Sequence, residues 1–112
     1  TRAAALPDIK ICYFPTQGRA EAMRMILEYG AIPYTDCSVV DYFGERWQYG
    51  AKERAPLGTL PIMDIDGDVI AQSGAMVRFA ASLVPGLVPD DPLARARCEM
   101  ICEAGAELTV KD

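Results

Sequence analysis

The dipeptide Asp66-Gly67, set between short apolar runs at residues 60–63 and 69–71, constrains the fold of this chain more than any other feature. Two such residues between two strand-like runs call for a tight hairpin, because the favoured turn needs left-handed backbone at both central positions. An antiparallel pair therefore belongs in the second half of the chain. The first half reads differently. Ile9, Ile11 and Tyr13 alternate with Lys10, Cys12 and Phe14, which predicts a short strand with one strongly apolar face. Pro15 ends it, and Thr16-Gln17-Gly18 reads as a loop. From Arg19 the spacing turns helical, with Ala22, Met23, Ile26, Leu27 and Tyr29 three and four apart. Gly30 is expected to cap that helix, and Pro33 follows it.

Residues 34–40, rich in β-branched and aromatic side chains, predict a second strand. Residues 41–56 have no clean period and are expected to be irregular, with one helical turn. Beyond the hairpin, Ser73 is expected to N-cap a helix carrying Met76, Val77, Phe79, Ala80 and Leu83. Gly86 and Pro89-Asp90-Asp91-Pro92 break it. A last helix starts at Leu93, with Ala96, Met100, Ile101 and Ala104 on one side. Strand, helix and strand in succession suggest a parallel pair, and the hairpin adds an antiparallel one. The predicted class is α/β with a mixed sheet.

Composition narrows the chemistry. The chain has 112 residues, 51% of them apolar and 24% charged, as in an ordinary globular domain. Its net charge of −5 argues against nucleic acid or an anionic membrane as the main partner. There is no histidine, which excludes Ser-His-Asp and Cys-His machinery and any His-containing zinc site. Cys12, Cys37, Cys98 and Cys102 show no CxxC spacing and are expected to be reduced, structural thiols, which favours a cytoplasmic setting. No apolar stretch approaches the ~20 residues that span a bilayer. The first eight residues hold one Arg and no apolar segment, so they are not read as a secretory leader. With no initiator Met, a processed or partial product is expected.

Tyr13-Phe14, Gly18-Arg19-Ala20-Glu21, Pro56-Leu57-Gly58-Thr59-Leu60-Pro61, Asp66-Gly67 and Gln72-Ser73 occur in an order that resembles the cytosolic glutathione transferases, most closely their sigma-like group. The resemblance runs from about Ile9 to Leu83. It implies a thioredoxin-like β-α-β-(α)-β-β-α domain over residues 9–84, a linker over 85–92, and, over 93–112, the first helix of an incomplete all-α domain. It also implies glutathione as co-substrate, a hydrophobic electrophile as second substrate, a homodimer and no metal.

The same resemblance assigns roles. Tyr13 would donate a hydrogen bond to the glutathione sulfur and stabilise the thiolate, with Arg19 holding the adjoining loop. Leu60, before a cis bond to Pro61, would offer its backbone to the peptide as an added strand does. Gln72 and Ser73 would hold the γ-glutamyl end at a helix N-terminus. Trp47 and Lys52 would reach the glycyl end, and Glu107 the glutathione amine of a partner subunit. Thr59 departs from the family, which often has Lys or Gln there. Two other classes remain open at this point. One is a non-enzymatic interaction module, in which Tyr13, Gln72 and Ser73 would have no work. The other is a glutaredoxin-like redox protein, but residues 15–19 lack the cysteine that such a protein places at its first helix. Isomerisation of a prostaglandin-like endoperoxide is a variant of the leading reading.

Overall fold

The computed structural model of the protein describes residues 6–15 and 18–111, with side chains as far as Ala104. Strands β1 (Ile9–Cys12), β2 (Thr35–Cys37), β3 (Ile62–Ile65) and β4 (Asp68–Ala71) form one sheet in the order β2-β1-β3-β4. β1 and β2 are parallel, while β3 runs antiparallel to both β1 and β4. A 3-10 turn at Gly18–Ala20 and helix α1 (Glu21–Tyr29) make the parallel crossover. The hairpin is as the sequence demands, with φ of 53° at Asp66 and 94° at Gly67. Asp64 Oδ1 accepts the Gly67 N–H at 2.8 Å, and Asp66 Oδ1 accepts the Asp8 N–H at 2.9 Å. The turn is thereby tied to the start of β1.

Alternation along the strands supplies two apolar layers. Ile9, Ile11 and Met63 pack with Met23 and Leu27 of α1 and with Met76 and Ala80 of α4 (Ser73–Ser82). On the other face, Cys12 and Ile62 pack with Val39 and Phe43 of α2 (Val39–Phe43) and with Ala51 of α3 (Ala51–Arg54). β1 thus buries both faces rather than the one expected.

Several local expectations are corrected. The second strand stops at Cys37, because Ser38 Oγ accepts the Asp41 N–H at 3.0 Å and opens α2. Val39 and Val40, read as strand, are helical. Residues 41–56 hold the end of α2, a 3-10 turn at Trp47–Tyr49 and α3, pieces too short for a period to show. Arg54 ties them together, donating to the Phe43 carbonyl at 2.6 Å and to Glu45 at 2.8 Å. Ser73 is not the N-cap of α4. That position is held by Gln72, whose side chain makes no capping bond, and Ser73 is the first helical residue.

The last helix, α5 (Pro92–Lys111), begins one residue earlier than predicted. Asp91 Oδ2 accepts the Ala94 N–H at 2.9 Å, and Pro92 takes the first helical position, where its missing N–H costs nothing. Arg78 of α4 pairs with Glu99 and Glu103 of α5. Leu93, Met100 and Ile101 of α5 are exposed. All four cysteines are free thiols. Among the described residues no helix is long and apolar enough to cross a membrane.

Candidate functional site at the end of the sheet

Strand register gathers the predicted residues. Cys37 pairs with Cys12, Cys12 with Ile62, and Ile62 with Ala71. One row therefore crosses all four strands, and Ser38, Tyr13, Pro61 and Gln72 leave the sheet at the same end. With neighbouring strands about 4.8 Å apart, the Tyr13 and Gln72 backbones lie roughly 10 Å apart across Pro61. That is about the length of an extended tripeptide.

Tyr13 leaves β1 with its ring half-buried against the first apolar layer. Its hydroxyl accepts the Arg19 backbone N–H at 3.2 Å. A phenol has one proton to give and two lone pairs. The bond from Arg19 occupies a lone pair, leaves the proton available, and polarises the O–H toward donation. Arg19 meets Tyr13 through its main chain, and its side chain is exposed.

The Leu60–Pro61 bond is cis, as the resemblance implied. Leu60 and Trp47 both pack against the second apolar layer, so the cis-proline loop and the 3-10 turn share a support. The Trp47 ring meets Phe14 edge-on, with centroids 5.9 Å apart, and Phe14 in turn lies 5.7 Å from Tyr13. Lys52 projects from α3 as an exposed side chain. Gln72 is held at φ 79° and ψ 114°, a conformation that costs a non-glycine residue about 1–3 kcal/mol. Its carbonyl accepts the Met76 N–H at 3.1 Å and closes the first turn of α4. The half-buried Ser73 is thus placed at the helix start, where main-chain donors point outward. The Glu107 side chain lies outside the described residues.

The thiols near this end are poor nucleophiles. Burial pushes Cys12 up to about 11, and burial also raises Cys37. A protonated, buried Cys12 does not suit redox exchange, which needs a low thiol pKa.

No family model matches the chain. Over 86 residues it is 34% identical to a glutathione S-transferase of Anopheles gambiae, a match covering 77% of this chain and 40% of that protein. Over 98 residues it is 34% identical to a hematopoietic prostaglandin D synthase of Gallus gallus, covering 88% of this chain and 47% of that one. The crystal structure of the glutathione S-transferase from Ascaris lumbricoides superposes with a TM-score of 0.78 at 27% identity, over 93% of this chain and 48% of that chain. Over most of its own length the chain is similar in sequence and fold to glutathione S-transferases. It spans less than half the length of these relatives. Its sheet and helices match the thioredoxin-like N-terminal domain of glutathione S-transferases.

Within this transferase-like half, the sequence reading missed a groove of about 820 Å3 on the β2 side of Tyr13. Tyr13, Phe14, Val40, Trp47, Arg24 and Arg46 line it. Arg24 is engaged by Asp36 at 2.9 Å and by Glu21 at 3.5 Å. The basic and aromatic neighbours Arg46-Trp47 were the available signal. The helical pieces within residues 41–56 are too short for a sequence period to assign those side chains a face.

Proposed function

We propose that the chain binds glutathione across the end of its sheet and holds the thiolate at Tyr13 for attack on a hydrophobic electrophile. The observation that carries this reading is the Tyr13 hydroxyl, which accepts the Arg19 N–H and keeps its own proton for a sulfur. Leu60 and Pro61 would receive the peptide backbone, and Gln72 and Ser73 the γ-glutamyl carboxylate. Trp47 and Lys52 would take the glycyl end, and Arg19 would hold the loop. The class is sigma-like, the setting cytoplasmic, the role detoxification, and the assembly a homodimer in which Glu107 of the partner subunit reaches the glutathione amine. Residues 9–84 form the glutathione-binding domain, 85–92 the linker, and 93–112 the first helix of an all-α domain. The site needs no metal.

In the reaction the glutathione thiol gives its proton to solvent. The sulfur then donates an electron pair to the electrophilic carbon, forming a C–S bond. In a substitution the leaving group departs with the pair it shared with that carbon. In an addition the neighbouring carbon takes up a proton. Tyr13 contributes by hydrogen-bonding the sulfur anion before attack, and loss of one such donor typically costs about a hundredfold or more in rate.

The substitution Tyr13→Phe tests this directly. Conjugation of glutathione to an activated aryl chloride should fall about a hundredfold, with the thermal melt little changed. An unchanged rate would remove Tyr13 from the mechanism and favour an interaction module. A second reading, isomerisation of a prostaglandin-like endoperoxide at the same thiolate, is favoured by the relative from Gallus gallus that is named for that synthesis. Product analysis with an endoperoxide substrate separates the two.

A further inference from the structure

We infer that Cys98 and Cys102, one helical turn apart on α5, form a two-coordinate site for a soft monovalent cation, Cu(I). Both thiols are free and exposed, and both line a cleft of about 740 Å3 between α4, residues 85–90 and α5. Tyr13 and the other residues proposed to hold glutathione do not line that cleft. The four-residue spacing is visible in the sequence, and nothing in the proposed glutathione chemistry uses it.

Geometry decides what such a pair can hold. Side chains at positions i and i+4 of a helix have their Cβ atoms about 5–6 Å apart. A disulfide needs Cβ atoms about 3.5–4.5 Å apart, so the intact helix does not favour a direct S–S bond. A single ion between the sulfurs closes the gap. With metal–thiolate bonds of about 2.3 Å, a linear S–metal–S unit spans about 4.6 Å. Because both thiols stand on one helix, little conformational freedom is lost on binding.

Ligand number and type then choose the ion. Among the described residues no group of three or more His, Cys, Asp or Glu side chains is placed to hold a metal. Zinc, which takes four ligands in structural sites, is poorly served by two thiolates. Cu(I) accepts linear coordination by two ligands, and thiolates are the soft donors that select it.

Binding replaces two S–H bonds with two S–Cu bonds. The two protons go to solvent, copper stays monovalent, and the S–Cu–S unit carries one net negative charge. Arg78 and Arg95 line the same cleft. Arg78 bonds Glu103 and lies 3.6 Å from Glu99; its pKa is raised by Glu103 first and, among weaker causes, by Cys102. The Cys102 sulfur therefore lies in the field of that guanidinium. Arg95, bonded to the neutral Pro89 carbonyl at 3.1 Å, keeps a positive charge to set against the anionic unit. The other two cysteines pair in register across β1 and β2, but Cys12 is buried, and burial raises both thiols. Their protons are harder to displace.

Titration of the reduced chain into the coloured Cu(I) complex of bicinchoninate, under nitrogen and without glutathione, tests the pair. The chain should withdraw one Cu(I) per monomer with no change in its sedimentation. Cys98→Ser and Cys102→Ser should each weaken that withdrawal about a hundredfold or more, because the second arm of a chelate acts at high effective concentration. Both positions are exposed, so circular dichroism and the thermal melt of these variants should match the parent. Cys37→Ser should withdraw copper as the parent does. Withdrawal that persists in the Cys98→Ser/Cys102→Ser double variant, that is lost in Cys37→Ser, or that joins two chains around one ion overturns the site. So does a parent chain that takes no copper from the chelator.

Discussion

Gly30 and Ala31 close α1 in a way that separates two uses of small residues. The Ile32 N–H donates to the Leu27 carbonyl at 2.8 Å and the Ala31 N–H to the Glu28 carbonyl at 3.1 Å, a Schellman ending. The left-handed residue of that motif is Ala31, at φ 56°, while Gly30 is at an ordinary −85°. Gly30 is required for another reason. A Cβ added there would stand 2.4 Å from Val84 Cγ2, just beyond α4. Gly30→Ala should therefore lower stability by about 1–3 kcal/mol through overpacking, whereas Ala31→Gly should raise it by about 0.5–1 kcal/mol by relieving the left-handed alanine. Urea unfolding of the two variants checks both signs. The sequence placed a glycine at the helix end correctly, but its purpose depends on Val84, a contact across more than 50 positions that no local pattern carries. Tyr13 is similar. Its place at the end of a strand was legible, while its bond to the Arg19 N–H depends on how the loop folds back.

Two tyrosines join elements through carboxylates. The Tyr34 hydroxyl donates to Glu28 of α1 at 2.8 Å, and the Tyr42 hydroxyl of α2 donates to Asp64 of β3 at 2.6 Å. Burial, followed by the bond to Glu28, lifts Tyr34 from 10.0 to about 12, and burial with the bond to Asp64 raises Tyr42 further. Because the folded state holds these protons more tightly than the unfolded chain, their contribution is fully present below pH 10.0. It is lost as pH rises toward about 12 and beyond. Chemical denaturation across that window should show stability falling with pH, and a shallower fall in Tyr34→Phe and Tyr42→Phe.

Element type and order were largely readable: the hairpin, the crossover helix and the mixed sheet each have a strong local signal. The region between β2 and β3 was not. There a serine cap at Ser38 overrides the strand preference of Val39 and Val40, and three short helical pieces take their order from Phe43 and Arg54. The groove is built from that same region, so it was invisible for the same reason.

At the scale of the whole molecule, one sheet end brings together residues separated by most of the chain, from Tyr13 to Ser73. Each is set by a different device: a backbone bond for Tyr13, a cis peptide for Leu60 and Pro61, and a left-handed cap for Gln72. On the β2 side, the groove lined by Phe14 and Trp47 opens against the same tyrosine. The most direct test is calorimetric titration of the chain with glutathione, with S-methylglutathione as the control. Saturable binding of both is expected, with proton release, read from the buffer dependence of the heat, for glutathione alone. A folded chain that takes up neither, or that binds glutathione without releasing a proton, would contradict the assignment of a thiolate site at Tyr13.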